Sequence, residues 1–220
     1  MNAEKPSSTR GKPGTLFIIS APSGAGKTTL VRALSYHVPN LLISISCTTR
    51  PKRPAEQDGV DYYFVDNTTF NDMIEKDQFL EYATVFDYRY GTPRTWVEDQ
   101  LKTGNDIMLE IDWQGAQDVR RHEPGCKSIF ILPPAISTLE KRLRSRKEDL
   151  DSTIKRRTQD ALTELSHYRE YDYLVINDDI QTAVKELKAI IEAVRQGIPY
   201  PGPDYQDFAE RLMTEGSDIQ

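Results

Sequence analysis

The chain has 220 residues, 38% of them hydrophobic, which is enough to build one domain around a real core. A formal charge of −6 and a pI near 5.2 argue against nucleic acid or an anionic membrane as a bulk partner. The only cysteines, Cys47 and Cys126, lack metal-ligand spacing, and neither a secretory segment nor a membrane-length apolar run occurs, so a soluble, cytoplasmic protein is expected.

Residues 1–13 are polar and read as a disordered arm. The apolar run Leu16-Phe17-Ile18-Ile19 predicts a buried strand over 14–20, and a helical pattern follows over 28–37, ended by Pro39. Between them stands Ala21-Pro22-Ser23-Gly24-Ala25-Gly26-Lys27-Thr28-Thr29. Strand, small-residue loop, Lys-Thr and helix in that order is the context a phosphate-binding P-loop requires. Small residues let backbone N–H groups curl around a polyphosphate, and the helix N-terminus adds partial positive charge. Lys27 is then placed for the β- and γ-phosphates, and the Thr28 hydroxyl for Mg²⁺. Ala21 replaces the usual first glycine, which is tolerable provided that residue does not need a positive φ.

Leu41–Ser46 reads as a second strand. Cys47–Asp61, rich in Thr, Arg, Pro and Gly, reads as a loop, and it carries Arg50 and Arg53 within reach of one phosphate. Tyr62–Val65 is strand-like; Tyr62 is a candidate phosphate donor, whereas Tyr63 and Phe64 are expected to be packed. A helix over Thr68–Lys76 is predicted, with Thr68 or Thr69 as N-cap. Phe79–Tyr90 is β-prone, Gly91-Thr92-Pro93 marks a turn, and Thr95–Thr103 reads as a helix stopped by Gly104. Tyr90 is the second candidate tyrosine.

Asp106–Asp112 is an apolar strand ending in acid, and Ser128–Leu132 another strand, cut off by Pro133-Pro134. Helices follow over Ser137–Arg146 and Ile154–Tyr168. Tyr173–Ile176 is the last core strand and Thr182–Arg195 the last long helix. Alternating strands and helices imply a parallel sheet covered on both faces. In the acidic segment from Pro199 to Gln220, Tyr205, Phe208 and Leu212 fall at helical spacing and predict an amphipathic helix docked on the body.

Two further groups bear on chemistry. Guanine presents N1–H and an exocyclic N2–H₂ side by side, so a single carboxylate accepts from both, whereas adenine offers an acceptor at N1; Glu81 and Asp112, with Glu110 nearby, are candidates for that reading. Asp112 equally suits a strand-end acid that orders Mg²⁺ waters. Arg142, Arg146, Arg156 and Arg157 lie on two helices joined by a charged turn, which suits a lid that neutralises a transferred phosphoryl and excludes water. Taken singly, each is equally a solvated charged surface.

In combination, A-P-S-G-A-G-K-T-T-L, S-C-T-T-R-P-K-R, D-G-V-D-Y-Y-F-V, F-L-E-Y-A, Y-G-T-P, L-E-I-D-W-Q-G-A, the arginine-rich segment and V-I-N-D-D resemble the guanylate kinase family from about Gly14 to Arg195. The resemblance implies an α/β fold: a P-loop NTPase core with a five-stranded parallel sheet flanked by helices. The core would comprise 14–46, 93–136 and 161–196, with a GMP-binding insert at 47–92 and a lid at 137–160, leaving 197–220 as an acidic extension. The activity implied is Mg²⁺-dependent phosphoryl transfer from ATP to GMP, dGMP being a further acceptor. The resemblance assigns Ala21–Thr29 and Asn177 to ATP, with Thr28 as metal ligand. It assigns Ser46, Arg50, Arg53, Tyr62 and Tyr90 to the GMP phosphate and its surroundings, and Glu81, Thr92, Thr95 and Asp112 to guanine. Catalytic charge would come from Lys27, Arg50, Arg142, Arg146 and Arg157. A guanylate-kinase-like protein-binding module is disfavoured by the intact Lys27 and Thr28. A signalling GTPase is disfavoured by the lack of an N-K-x-D element, despite Asp112-Trp-Gln-Gly115, and Glu81 disfavours a kinase for AMP or UMP. Monomer and homo-oligomer are both compatible with the sequence.

Overall fold

A computed structural model describes residues 12–85, 87–145 and 151–217, with the backbone alone at 143, 145, 151–158 and 217. Five parallel strands form the main sheet: β1 (Leu16–Ser20), β2 (Leu41–Ile43), β7 (Asp106–Glu110), β8 (Lys127–Leu132) and β9 (Tyr173–Ile176), in the order β2-β7-β1-β8-β9. A central parallel strand has both faces covered, so its sequence must be apolar throughout. Phe17–Ile19, Ile107–Leu109 and Ile129–Ile131 meet that demand and are all but fully buried. The expected strand over 41–46 pairs only as far as Ile43.

A second sheet of four strands, β4-β3-β6-β5, is built from β3 (Cys47–Thr48), β4 (Tyr63–Phe64), β5 (Phe79–Val85) and β6 (Tyr88–Pro93). Two sequence expectations are corrected here. Cys47 and Thr48 are not loop but pair with Gly91 and Tyr90, and Gly91–Pro93 is not a turn but the end of a strand opposite Phe79–Tyr82. Pairing across the sheet overrides the local turn preference of Gly and Pro. Tyr63, expected to be packed, is exposed at 42%. Phe70, Phe79 and Cys47 form a separate small core for this sheet.

Helices α1 (Lys27–Ser35), α2 (Asn67–Glu75), α3 (Arg94–Lys102), α4 (Trp113–His122), α5 (Ile136–Ser145), α6 (Asp151–Ser166) and α7 (Ile180–Gln196) connect and cover the strands. Helix α2 starts one residue earlier than expected, and its N-cap is neither threonine but Asp66, which accepts from Thr69 N–H at 2.7 Å. In α7, Ala183, Val184, Leu187, Ile190 and Ile191 recur every three to four residues and are buried. The last helix, α8 (Gln206–Ser217), buries Ala209 and Leu212 and packs on α5 and α6. At the opposite end of the sheet from the P-loop, Asp106 accepts from Thr15 N–H at 2.6 Å and Arg195 Nε at 2.7 Å, and Arg195 also donates to Pro39 O. Among the described residues no helix is long and apolar enough to cross a membrane.

Candidate active site

Strand β1 ends at Ser20, and the loop Ala21–Gly26 turns the chain into α1. Gly24 and Gly26 both have φ near +90°, a conformation that excludes most side chains, and Gly26 is the helix N-cap. Ala21 is absent from the positive-φ residues, so its methyl costs nothing. The loop is stitched from outside: Asn177 Nδ2 donates to Ala25 O at 2.6 Å, and Arg142 reaches the same carbonyl at 3.1 Å and Asn177 O at 3.4 Å. A Cβ on Gly26 would sit 2.5 Å from Asn177 Nδ2, so the close approach also requires glycine there.

Lys27 Nζ donates to Ile111 O at 3.0 Å, which ties its ammonium to the chain just after β7. The exposed Thr28 hydroxyl donates to Glu110 at the end of β7, and Thr29 is exposed one residue on. Hydroxyl and carboxylate oxygens are the donors a hard divalent cation takes. A residue not singled out in the sequence, Glu164 on α6, accepts from Ser23 N–H at 2.6 Å. Burial pushes its carboxyl up to about 7, against the opposing pull of Ser23 N–H and Lys27. No local signal marks Glu164, because only the tertiary fold brings residue 164 to residue 23.

In the second sheet, Arg50 forms a two-pronged bond to Glu56, at 2.6 and 3.1 Å, and stands 5.5 Å from the centre of the Tyr62 ring. Tyr62 and Tyr90 meet edge to face at 5.8 Å, and burial, then the Glu110 charge, pushes the Tyr62 hydroxyl up to about 12. Arg53 is exposed, and its backbone N–H shares Glu56 at 2.8 Å. Burial pushes the Glu56 carboxyl up, but Arg50 and the Arg53 N–H more than offset it and hold it below the usual range. Glu56 was not anticipated; three to six residues from two arginines, it was legible as their local counter-ion. Ser46, half-buried, joins the sheet through its carbonyl, which accepts from Tyr63 N–H at 2.9 Å.

Glu81 is 4% exposed. It accepts from the buried Thr92 hydroxyl at 2.5 Å across the β5–β6 pair. Burial pushes its carboxyl up to about 7; the Thr92 bond opposes this and the Asp112 charge adds to it. Asp112 caps α4, accepting from Gly115 N–H at 2.9 Å and Gln114 Nε2 at 3.1 Å. A cavity of about 180 Å³ opens beside it, lined by Thr84, Gln114, Asp160 and Glu164 among others. Thr95 is exposed in the first turn of α3.

The structure therefore brings together Lys27, Thr28 and Glu110 at one place, Arg50, Tyr62 and Tyr90 at another, and Glu81, Thr92 and Asp112 at a third. Arg142 and Asn177 close on the P-loop. Arg146 lies outside the described residues; Arg156 and Arg157 lie on α6, and their side chains are outside the description.

Comparison with known proteins decides the family. A family model described as guanylate kinase matches residues 13–194. The chain belongs to the guanylate kinase family. It is 54% identical over 190 residues to the guanylate kinase of Methylococcus capsulatus, spanning 86% of this chain and 93% of that one. Against the guanylate kinase of Coxiella burnetii it is 54% identical over 180 residues, 82% and 87% of the two chains. A crystal structure of guanylate kinase from Anaplasma phagocytophilum superposes with a TM-score of 0.71 at 34% identity, covering 83% of this chain and 87% of that one. Membership of the guanylate kinase family makes the chain a nucleotide-dependent phosphotransferase with a P-loop fold. Helix α8 lies beyond the residues that the family model matches.

Proposed function

We propose that the chain transfers the γ-phosphoryl group of ATP to GMP, giving ADP and GDP, with Mg²⁺ as the metal. The observation that carries this reading is the buried Glu81, held by Thr92 beside Asp112, in the same molecule as a P-loop with Lys27 and Thr28. A carboxylate facing guanine takes both N1–H and N2–H, and the same carboxylate repels the N1 acceptor of adenine. Arg50, with Tyr62 and Tyr90, supplies a guanidinium and two phenols for the acceptor phosphate.

The P-loop amides and Lys27 hold the donor phosphates, and Arg142, Arg146 and Arg157 spread positive charge over the transferred group. Thr28 and Glu110 offer the oxygen donors for Mg²⁺, which when bound neutralises phosphate charge. The acceptor oxygen is already anionic, so the protein has no proton to remove. Its work is to place the two nucleotides in line and to keep water from taking the phosphoryl group.

The test is an acceptor panel of GMP, dGMP, AMP, CMP and UMP with Mg-ATP, followed by ADP release. Turnover with GMP and dGMP alone is expected. Equal turnover with AMP removes the base-reading role of Glu81, and GTP hydrolysis without any acceptor replaces this reading by a GTPase.

A further inference from the structure

Gly115 is the third residue of α4, in the Asp112-Trp-Gln-Gly115 run. A Cβ built on it would lie 2.5 Å from Glu81 Oε2, 3.2 Å from Glu81 Cδ and 3.4 Å from Asp112 Oδ1. All three nearest atoms thus belong to the two carboxylates facing the acceptor base. The backbone does not ask for glycine: Gly115 is helical and is not among the positive-φ residues. A glycine inside a helix costs about 1 kcal/mol relative to alanine, so an unforced one calls for a reason in its surroundings.

The overlap at 2.5 Å can be relieved in two ways. Helix α4 can move, or the Glu81 carboxylate can swing. Ala116 and Val119 are fully buried under α4, which makes the helix the stiffer partner in a close-packed interior. The carboxylate is the far end of a flexible side chain and yields first, leaving its bond to Thr92. A methyl at 115 therefore costs the fold little and displaces the group that reads the base.

We propose that Gly115 is a positioning residue for base recognition: its missing side chain lets Glu81 and Asp112 face the acceptor base together. The inference rests on the base-reading role proposed above for Glu81. It is tested in the full chain with Gly115→Ala, Glu81→Ala and the double variant, by initial rates with GMP and ATP varied in turn and by thermal melting. Gly115→Ala should raise the KM for GMP roughly tenfold or more and leave that for ATP within about twofold. In the Glu81→Ala background the added methyl should cost nothing further, because the carboxylate it would displace is gone and Asp112 Oδ1, at 3.4 Å, is at ordinary contact distance.

A GMP KM that is unchanged in Gly115→Ala but raised in Glu81→Ala overturns the inference alone. So does an equal cost of the methyl in both backgrounds, or a parallel rise in both KM values. An unchanged GMP KM in Glu81→Ala overturns the base-reading role and the inference with it. If Gly115→Ala melts too low to assay, the double variant decides: it should melt with Glu81→Ala, and a double that melts as low as the single overturns the inference.

Discussion

The Thr92 hydroxyl donates to Glu81 at 2.5 Å, and both residues are buried within a β-hairpin whose outer positions are exposed. A carboxylate so placed has one oxygen committed to Thr92, and on the proposed role the other is left for the base. Replacing Glu81 by Gln keeps the shape but puts N–H where guanine also presents N–H. The expected loss is on the order of 10²-fold in kcat/KM for GMP, with the KM for ATP changed little. Varying each nucleotide at saturation of the other checks it; equal losses on both sides would point to damage of the fold.

Protonation of the same group gives a pH test. Its folded value of about 7 lies above the ordinary 4.5, so the folded state keeps a proton that the unfolded chain has released. Stability therefore falls as pH rises from about 4.5 to about 7 and levels off above. Recognition of guanine, on the role proposed for Glu81, runs the other way, since it would need the carboxylate. In wild type, kcat/KM for GMP should rise through about pH 7, and in Glu81→Gln that limb should be missing. Ionisation of the GMP phosphate is common to both proteins and cancels in the comparison.

Glu164 makes a distinct prediction for the donor side. Its carboxylate holds Ser23 N–H, an amide of the loop that cradles phosphate, and brings negative charge close to it. Glu164→Gln should lower the KM for ATP severalfold, by roughly the value of one charge contact of about 1 kcal/mol. In wild type the same tightening should appear as pH falls below about 7 and the carboxyl takes a proton. Initial rates against ATP at saturating GMP check both.

Lys27→Ala should cut kcat by about 10²–10³-fold, the loss seen when one preorganised charge contact to a transition state is removed. Because Lys27 belongs to the P-loop proposed to hold the donor phosphates, the KM for GMP should move by no more than a few-fold. Single-turnover phosphoryl transfer is the direct measurement.

Asp106 supplies a stability test remote from chemistry. It is 5% exposed and binds both Thr15 N–H and Arg195. Asp106→Ala removes the counter-charge of a half-buried guanidinium, which keeps only Pro39 O among the described residues, and strips Thr15 N–H of its acceptor. It should cost about 2–3 kcal/mol of unfolding free energy. Denaturant unfolding measures it, and kcat at 25 °C should be unaffected.

What was legible in the sequence follows the physics of each element. The parallel core announced itself because strands buried on both faces must be continuous apolar runs, as in Phe17–Ile19 and Ile107–Leu109. The P-loop was legible because glycine is demanded at Gly24 and Gly26 by backbone angle. Helix α4 was missed. Its buried face consists of the small residues Gly115, Ala116 and Val119 in an otherwise polar stretch, so few large apolar side chains mark it. Strand β3 was hidden for a related reason: a two-residue pairing takes its stability from partners elsewhere in the sheet, whereas β4 falls within the expected strand-like run Tyr62–Val65. Glu81 was visible as a candidate, but not its burial, which depends on a hairpin partner eleven residues on.

Glu81 and Thr92 belong to the small sheet, and Asp112 and Gly115 to the helix that follows a strand of the large one. The proposed acceptor site is thus a seam rather than a pocket within either unit, with Glu81 and Asp112 brought side by side around Gly115 from different sheets. On that reading, a base bound to both carboxylates would tie the two sheets together, and discrimination among nucleotides would draw on how those sheets are assembled as well as on the hydrogen bonds to the base.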